Sequence, residues 1–319
     1  KLDPGEDRLA CAQRELLEET GYRAKEWAHA GVLHPVISYS TLISAWGRVP
    51  GPNTIQLKVT DSSLKTSIIS TTLTLITTLT WDANGATAGQ TNGAGAWLGN
   101  NLWWNGSSNV NWVSGSNAVF GGPNTAGGAV TLASPTVVNH ITFNSFSGTY
   151  TLGGAGPALT LNNGITKNAG TGLVSIASPL ILSAAQIWAN HSESALDVTG
   201  TLDNGGFLLT IDGSSNASFS TASSAISGSG GLTKTGTGRL ILSGSNTYTG
   251  PTTITAGNLA LGANHVLPDG SAVSIDNATL DAATFADTVG TLGITSTATI
   301  KVITRVMWIS FAVFRSNSG

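Results

Sequence analysis

Three glutamates near the start of the chain have the spacing of a metal site. Glu15, Glu18 and Glu19 stand at positions i, i+3 and i+4, so on a helix their carboxylates converge on one patch. Carboxylates held this close repel one another unless a hard cation neutralises them, and Mg²⁺ prefers such oxygen ligands. Arg14, four residues before Glu18, can hold that carboxylate in position. The alternative is a solvated acidic face that binds nothing.

Residues 7–20 have the pattern of the helix that this patch needs. Four apolar side chains recur along one face: Leu9, Ala12, Leu16 and Leu17. Asp7 suits the N-cap, and Gly21 suits the C-terminal position that needs a positive φ. The sequence therefore predicts a short amphipathic helix that carries the three glutamates.

The surrounding sequence, "KLDPGEDRLACAQRELLEETGYRA", resembles the Nudix box. In that motif a glycine, five residues, a glutamate and seven residues precede R-E-U-x-E-E-x-G-U, where U is aliphatic or aromatic. The matching positions are Glu6, Arg14, Glu15, Leu16, Glu18, Glu19, Gly21 and Tyr22. The continuation to residue 41 is similar to the ADP-ribose pyrophosphatase branch. The resemblance implies a cytoplasmic enzyme whose glutamates bind Mg²⁺ and which cleaves the pyrophosphate of a nucleoside diphosphate sugar.

The rest of that fold has no counterpart in the sequence, either before the box or after Thr41. A segment of about 40 residues does not bury a core alone. A metal helix without walls to position a substrate does little catalysis. We therefore expect an inactive, incomplete fragment at residues 1–43 that requires no cofactor. Its catalytic remnants are Glu6, Arg14 and Glu15, and its Mg²⁺ ligands are Glu15, Glu18 and Glu19.

The composition changes sharply after this fragment. Twelve charged residues lie within residues 1–26, although only 10% of the 319 residues are charged. Three of the 40 glycines lie in residues 1–43 and 37 lie beyond them. The net charge is −3, and no Lys/Arg cluster is present that would follow a phosphate backbone, so we expect no nucleic-acid partner. A join of two unlike genes, or a frameshift, is one interpretation of this contrast.

We expect three further segments after the fragment. Residues 44–79 are a linker or a degenerate signal-like segment, in which "KTSIISTTLTLITTLT" (65–80) has the features of either a worn secretion signal or a threonine-rich strand. A repeat region follows at 80–301. The tail at 302–319 is atypical, and its apolar run is too short for a transmembrane helix.

The repeat region consists of short segments in which apolar residues occupy every second position, such as "ALTLNNG", "PLILS" and "RLILSG". Glycine and asparagine separate these segments. The alternating segments recur at a regular spacing. Leu240 and Leu242 return nineteen residues later as Leu259 and Leu261, another nineteen residues reaches Leu280, and Leu161 to Leu180 has the same spacing. A period near twenty with short strands indicates a right-handed parallel β-helix, that is, a β-solenoid. A β-sandwich is the alternative.

One repeat carries a second resemblance. "GLTKTGTGRLILSGSNTYTGPTTITAGNLALG" (231–262) closely resembles the autotransporter-associated β-strand repeat of bacterial passenger regions. The segments "TLTWDANG" and "NVNWVSGSNAVFGG" are similar to the start of such passengers. The resemblance implies an extracellular or outer-surface β-helix of a bacterium and brings no catalytic residues with it.

Other polar residues of this region have weaker patterns. His140, His191 and His265 are isolated, without the spacing of metal ligands. Three aspartates are scattered through turn-rich sequence: Asp197, Asp203 and Asp212. If two of them lie close together on one face of the solenoid, their carboxylates can catalyse glycan hydrolysis. The ordinary alternative is that each aspartate is a solvated turn residue.

Tryptophans cluster where the repeats begin, with five of the nine between Trp81 and Trp112. In one interpretation Trp97, Trp104 and Trp112 form an aromatic platform for sugar rings. In the other they are a cap over the open end of the solenoid, where strand edges would otherwise be unpaired. We favour the cap because tryptophan's large area is best used to close a core.

Together these patterns predict a mainly β protein with a short helical fragment before it. The function that they favour is a non-enzymatic, secreted or cell-surface passenger-type repeat protein with an adhesive role and cell-surface or polysaccharide ligands. The alternatives are a Mg²⁺-dependent Nudix hydrolase and a glycan-binding β-helix module.

Overall fold

The computed structural model describes residues 51–60, 66–87, 89–122, 126–214, 218–221, 225–295 and 297–302. The chain divides into two compact units, Lys1–Ile76 and Thr77–Gly319. All the named elements in the described residues are β-strands. The helix expected at residues 7–20 and the tail from residue 303 onwards lie outside the described residues.

The described part of the first unit is one β-hairpin. Strand β1 (Gly51–Thr60) pairs antiparallel with β2 (Thr66–Leu75), from Gly51 opposite Leu75 to Thr60 opposite Thr66. Threonine and β-branched residues favour the pleated conformation, which accounts for a strand in the threonine-rich segment.

The second unit is a β-solenoid, in which consecutive strands of the chain belong to different sheets. Most of its strands pair in parallel with the strands of the neighbouring coils, which excludes a sandwich of hairpin-linked sheets. The largest sheet among the described residues has twelve strands: β3 (Thr78–Trp81), β5 (Trp103–Trp104), β6 (Asn109–Val110), β7 (Asn117–Phe120), β10 (Ile141–Phe143), β13 (Gly164–Lys167), β16 (Gln186–Asn190), β19 (Leu209–Gly213), β22 (Leu232–Lys234), β24 (Thr252–Ile254), β26 (Ala272–Ile275) and β28 (Thr291–Ile294).

Two smaller sheets complete the solenoid. The ten-stranded sheet contains β4 (Gly95–Ala96), β8 (Ala129–Thr131), β11 (Phe146–Leu152), β14 (Thr171–Ile176), β17 (Leu196–Val198), β20 (Ser218–Thr221), β23 (Arg239–Leu242), β25 (Asn258–Leu261), β27 (Thr279–Ala283) and β29 (Thr299–Val302). The five-stranded sheet contains β9 (Thr136–Val138), β12 (Leu159–Leu161), β15 (Leu180–Leu182), β18 (Leu202–Asp203) and β21 (Ile226–Ser227).

The leucines that recur in the sequence form stacks inside the solenoid. Leu240 pairs with Leu259, which pairs with Leu280, and Leu242 pairs with Leu261. All five are at most 3% exposed. The prediction of inward-facing, coil-on-coil leucines is therefore confirmed, and alternation along each strand explains it, since every second side chain points into the tube.

The nineteen-residue interval does not hold upstream, and the alignment of Leu161 with Leu180 is wrong. Leu180 stacks on Leu159, and Leu161 stacks on Leu182. Coils in this part of the chain are longer: Ile165 and Trp188, which are stacked, stand 23 residues apart. The extra residues form the strand of the five-stranded sheet, which ends at β21. Beyond it, stacked residues are 19 to 21 apart, as for Leu240 with Leu259 and for Leu259 with Leu280.

Glycine is required where one coil passes close to the next. Gly164 has φ 105°, and a Cβ there would lie 2.2 Å from the carbonyl oxygen of Ile187. Gly257 has φ 71°, and a Cβ would lie 2.5 Å from the carbonyl oxygen of Gly238 one coil earlier. At these corners the backbone itself occupies the space of a side chain.

Candidate functional site

The tryptophan cluster, defined as Trp81, Trp97, Trp103 and Trp112 around Phe120, is the largest aromatic assembly of the described residues. Its ring centroids lie 4.6–5.9 Å apart, at tilted or edge-on angles. The first three tryptophans are 0% exposed, and Trp112 is half-buried. Such arrangements add to the stabilisation that comes from area alone.

Short antiparallel strands hold this cluster at one end of the twelve-stranded sheet. β5 pairs with β3, with Trp103 opposite Trp81, and β6 pairs with β5. The two strands therefore cover the edge of β3 that faces away from the coils. The Trp103 Nε1 atom donates to the carbonyl oxygen of Trp97 at 2.8 Å, and the Trp81 Nε1 atom to that of Gly93 at 3.0 Å.

The candidate platform residues do not share one exposed surface. Trp97 and Trp112 are ring neighbours at 5.1 Å, but Trp97 is completely buried. Trp104 follows the buried Trp103 on β5 and is half-buried. Because successive side chains of a strand point to opposite faces, Trp104 points away from the cluster. The sequence pattern suggested Trp104 for the aromatic cluster, whereas the structure places Trp81 and Trp103 in it.

The three candidate aspartates lie on three different sheets. Asp197 is on β17, Asp203 on β18 and Asp212 on β19, and these strands belong to the ten-, five- and twelve-stranded sheets respectively. The Asp203 Oδ1 atom accepts from the Gly205 N–H at 2.9 Å within its own turn. No two of them therefore form a carboxylate pair on one face.

The histidines also remain separate. His140 contacts the Thr166 hydroxyl through Nε2 at 3.1 Å and the Asn163 carbonyl oxygen through Nδ1 at 3.3 Å, and burial lowers its pKa. His265 sits at a corner with φ 54°. Among the described residues, no three His, Cys, Asp or Glu side chains cluster so as to hold a metal ion. The Nudix-box residues Glu6, Arg14, Glu15, Glu18 and Glu19 lie outside the described residues.

Two buried lysines are among the polar residues that the sequence pattern did not single out. Lys167 is the last residue of β13 and Lys234 is the last residue of β22, and the two lie in the similar sequences "GITK" and "GLTK". Their side chains are 0% and 1% exposed, respectively. The signal was present, because alternation from Ile165 and Leu232 puts both lysines on the inner face. Burial lowers the pKa of each to about 8, and the nearby carboxylates, Asp197 for Lys167 and Asp212 for Lys234, oppose that shift.

Backbone carbonyls receive the ammonium groups. Lys167 Nζ donates to the carbonyl oxygen of Ser194 at 2.7 Å and to that of Thr171 at 3.5 Å. Lys234 Nζ donates to the carbonyl oxygens of Thr235 and Gly236, the latter at 2.7 Å. These bonds replace water around a buried charge, which would otherwise be too costly to keep inside the tube.

Buried amide and carboxylate side chains link the coils where the five-stranded sheet ends. Asn246 Oδ1 accepts from the Ile226 N–H at 2.7 Å, and its Nδ2 donates to the Val266 carbonyl oxygen at 2.5 Å. One coil further, Asp287 Oδ2 accepts from the N–H groups of Val266 and Leu267, both at 2.9 Å. Side chains thus take over the hydrogen bonds that a third strand makes in the longer coils.

The segment from β22 to β25 contains the buried lysine, the leucine stack and the Asn246 link. Residues 232–261 match the Passenger-associated-transport-repeat family. This passenger repeat corresponds in the structure to two successive passages through the twelve- and ten-stranded sheets. Residues 1–45 match the NUDIX domain family.

A curated relative extends the first match. The chain is 30% identical over 202 residues to the adhesin BmaC autotransporter of Brucella suis biovar 1 (strain 1330). The alignment covers 59% of this chain but only 4% of that adhesin, so the chain spans a small part of its relative's length. No solved structure matches the chain. The solenoid is thus a passenger-type repeat region. Among the described residues, no helix is long and apolar enough to cross a membrane.

Proposed function

We propose that the solenoid is displayed on the outer surface of a bacterium as a non-catalytic, adhesive passenger region. The match of residues 232–261 to the passenger repeat supports this function most directly, and the named adhesin relative adds to it. One interior cavity of the described solenoid, beside Leu261, Leu267 and Asp287, has about 10 Å³ of space, about enough for one water molecule.

Display and adhesion are tested separately. An antibody raised against the solenoid should label intact, unpermeabilised cells of the source bacterium, and labelling only after permeabilisation would contradict surface display. Beads coated with the full chain should bind host cells or polysaccharide several-fold better than beads coated with the Leu240→Asp variant, whose core is disrupted. Equal binding of the two bead types would contradict a folded adhesive surface.

The glycan-binding alternative depends on the parts of the tryptophans that solvent reaches. Trp104 and Trp112 are half-buried, so each leaves part of its ring accessible. If a polysaccharide binds there, Trp104→Ala should abolish its binding while the unfolding midpoint stays nearly unchanged. Loss of stability without loss of binding would give Trp104 a structural role and contradict a glycan site there.

The NUDIX match at residues 1–45 gives the second candidate function a specific basis. We propose that residues 7–20 form a helix on which Glu15, Glu18 and Glu19 bind Mg²⁺ weakly. When bound, the ion would supply the charge that neutralises a pyrophosphate. A segment of about 45 residues does not by itself build the walls that position a substrate, so we expect no catalysis from the remaining Nudix residues, Glu6 and Arg14.

Turnover of ADP-ribose decides this candidate. With Mg²⁺ supplied, the full chain should release no more AMP than its Glu18→Gln variant. AMP release that disappears in the variant would make the N-terminal segment a working hydrolase.

The winding of the solenoid is a further proposal. Parallel strands of one sheet are almost always joined by right-handed crossovers, because a right-twisted strand then packs back onto its sheet. We therefore expect a right-handed solenoid, and an experimental density map that shows left-handed coils would contradict it.

A further inference from the structure

Lys167 and Asn190 are stacked neighbours inside the solenoid. β13 and β16 pair in parallel with Lys167 directly opposite Asn190. Both residues are buried, at 0% and 1% exposure. Lys167 Nζ and Asn190 Nδ2 donate to the same atom, the carbonyl oxygen of Ser194, at 2.7 and 3.0 Å. The amine and the carboxamide are thus neighbours across a single oxygen atom.

The carboxamide of Asn190 is held as an electrophile. Its Oδ1 atom accepts from the backbone N–H of Ser192 at 3.0 Å. A backbone donor in this position stabilises the negative charge that develops on the oxygen when a nucleophile attacks the carbonyl carbon. Ser192 is itself fixed, because it is 3% exposed and its hydroxyl donates to the Thr171 carbonyl oxygen at 2.6 Å.

The surroundings also favour a neutral, nucleophilic amine. Burial lowers the pKa of Lys167 to about 8, so a substantial fraction is uncharged in mildly alkaline solution. Asp197 lies between the inward-facing Leu196 and Val198 on β17, and its charge only partly opposes the lowering of the Lys167 pKa.

We propose that Lys167 and Asn190 form an intramolecular isopeptide bond that joins two consecutive coils. The Lys167 Nζ atom attacks Cγ of Asn190, the Cγ–Nδ2 bond breaks, and the former amide nitrogen leaves as ammonia with a proton from the amine. The reaction requires no oxidant, reductant or cofactor. The product closes a covalent ring through the coil between β13 and β16, which resists peeling of the coils from one another.

Lys234 provides a matched control within the same sheet. It has the same inward position, the same burial and the same direction of pKa shift. Its stacked neighbours, however, are Ile211 and Ile254, which have no carboxamide. The proposal therefore predicts a bond at Lys167 and none at Lys234.

Intact mass spectrometry of the purified full chain tests the bond. The wild-type chain and the Lys234→Met variant should each weigh less than their sequences by one ammonia, and Lys167→Met and Asn190→Ala should have their full masses. Proteolysis of the wild type should yield a branched peptide that contains both Lys167 and Asn190.

Ammonia is also lost when an asparagine before glycine cyclises to a succinimide, as at Asn163 or Asn204. A succinimide hydrolyses in mild alkali and leaves no branched peptide, whereas an isopeptide survives. A wild-type chain of full mass would overturn the proposal, and so would an ammonia loss that maps only to such an Asn-Gly site. Because the wild-type mass decides the result, misfolding of a variant does not obscure it.

Discussion

A lysine inside a narrow β-tube makes the stability of the fold depend on pH. Lys234 is the clearest case, since its pKa falls to about 8 in the folded chain, from 10.5, because of burial, and Asp212 only partly opposes the shift. Between these values the unfolded chain binds more protons than the folded one, so stability rises with pH. Tyr150 and Tyr248 affect the stability at higher pH, because burial raises their pKa values to about 12 in the folded chain. Above pH 10 the unfolded chain loses tyrosine protons first, and stability falls.

We therefore expect the free energy of unfolding to rise by about 2–3 kcal/mol between pH 8 and pH 10 and then to decline. Denaturant titrations at half-unit steps of pH measure this curve. The Lys234→Met variant should lose most of the rise. Lys167 contributes to this rise in the free energy of unfolding only in molecules in which its amine has not formed the isopeptide bond. A curve that declines steadily from pH 8 in the wild type would show that Lys234 is hydrated in the folded state.

Glycine at one corner position offers a second test at the residue scale. Gly164 combines φ 105° with the close approach of the Ile187 carbonyl oxygen, whereas Gly156 has open space around the position of a Cβ. Gly164→Ala should lower the free energy of unfolding by about 1–3 kcal/mol or more, because strain and a backbone clash act together. Gly156→Ala, the matched control, should change it little. Equal midpoints in thermal melts of the two variants would argue against the tight corner.

At the scale of elements, the antiparallel strands β5 and β6 close the end of the twelve-stranded sheet. Truncating Trp97, which is fully buried, should cost about 3–5 kcal/mol, because it opens a cavity against Phe120 and Trp103. Trp104→Ala should cost clearly less, since that side chain is half-buried on the opposite face. Urea unfolding of the two variants compares them. A larger loss for Trp104 would mean that β5 presents its other face to the core.

The side-chain links that replace the third strand are a second element-scale feature. Asn246→Ala leaves a buried N–H group at Ile226 and a buried carbonyl at Val266 without their partner, and should cost about 1–3 kcal/mol. Asn105 is an exposed control whose Oδ1 atom accepts hydrogen bonds within its own turn, from the N–H and hydroxyl groups of Ser107 and the N–H group of Ser108. Asn105→Ala should cost less because water replaces those bonds. Calorimetric melts of the two variants should separate by several degrees.

The sequence predicted what depends on alternation and missed what depends on coil length. Leu240, Leu259 and Leu280 were correctly predicted to face inward, because period two determines the face. The nineteen-residue interval gave the stack of Leu240 on Leu259, but Leu280 stacks on Leu259, 21 residues away, and not on Leu261. Leu161 was misaligned because a coil with a third strand is longer, and no local pattern shows where that strand ends. Trp103 was overlooked in favour of Trp104 because two adjacent tryptophans give no indication of which one faces inward.

At the scale of the molecule, the solenoid is a stack in which each coil contacts its two neighbours, so its register is set by whole coils. Stacked residues Trp188 and Ile211 are 23 apart, and deleting residues 188–210 therefore brings Ile211 onto Ile165 with every inner side chain still facing inward. We expect this variant to keep a β-type circular dichroism spectrum and a single cooperative unfolding transition, with a modestly lower midpoint. Deleting only 188–198 removes about half a coil, which forces strands of different sheets onto one another and turns inner residues to solvent. That variant should aggregate or unfold without cooperativity. If both deletions behave alike, the chain is not held together coil by coil, and stacking in register is not what makes this region a stable repeat.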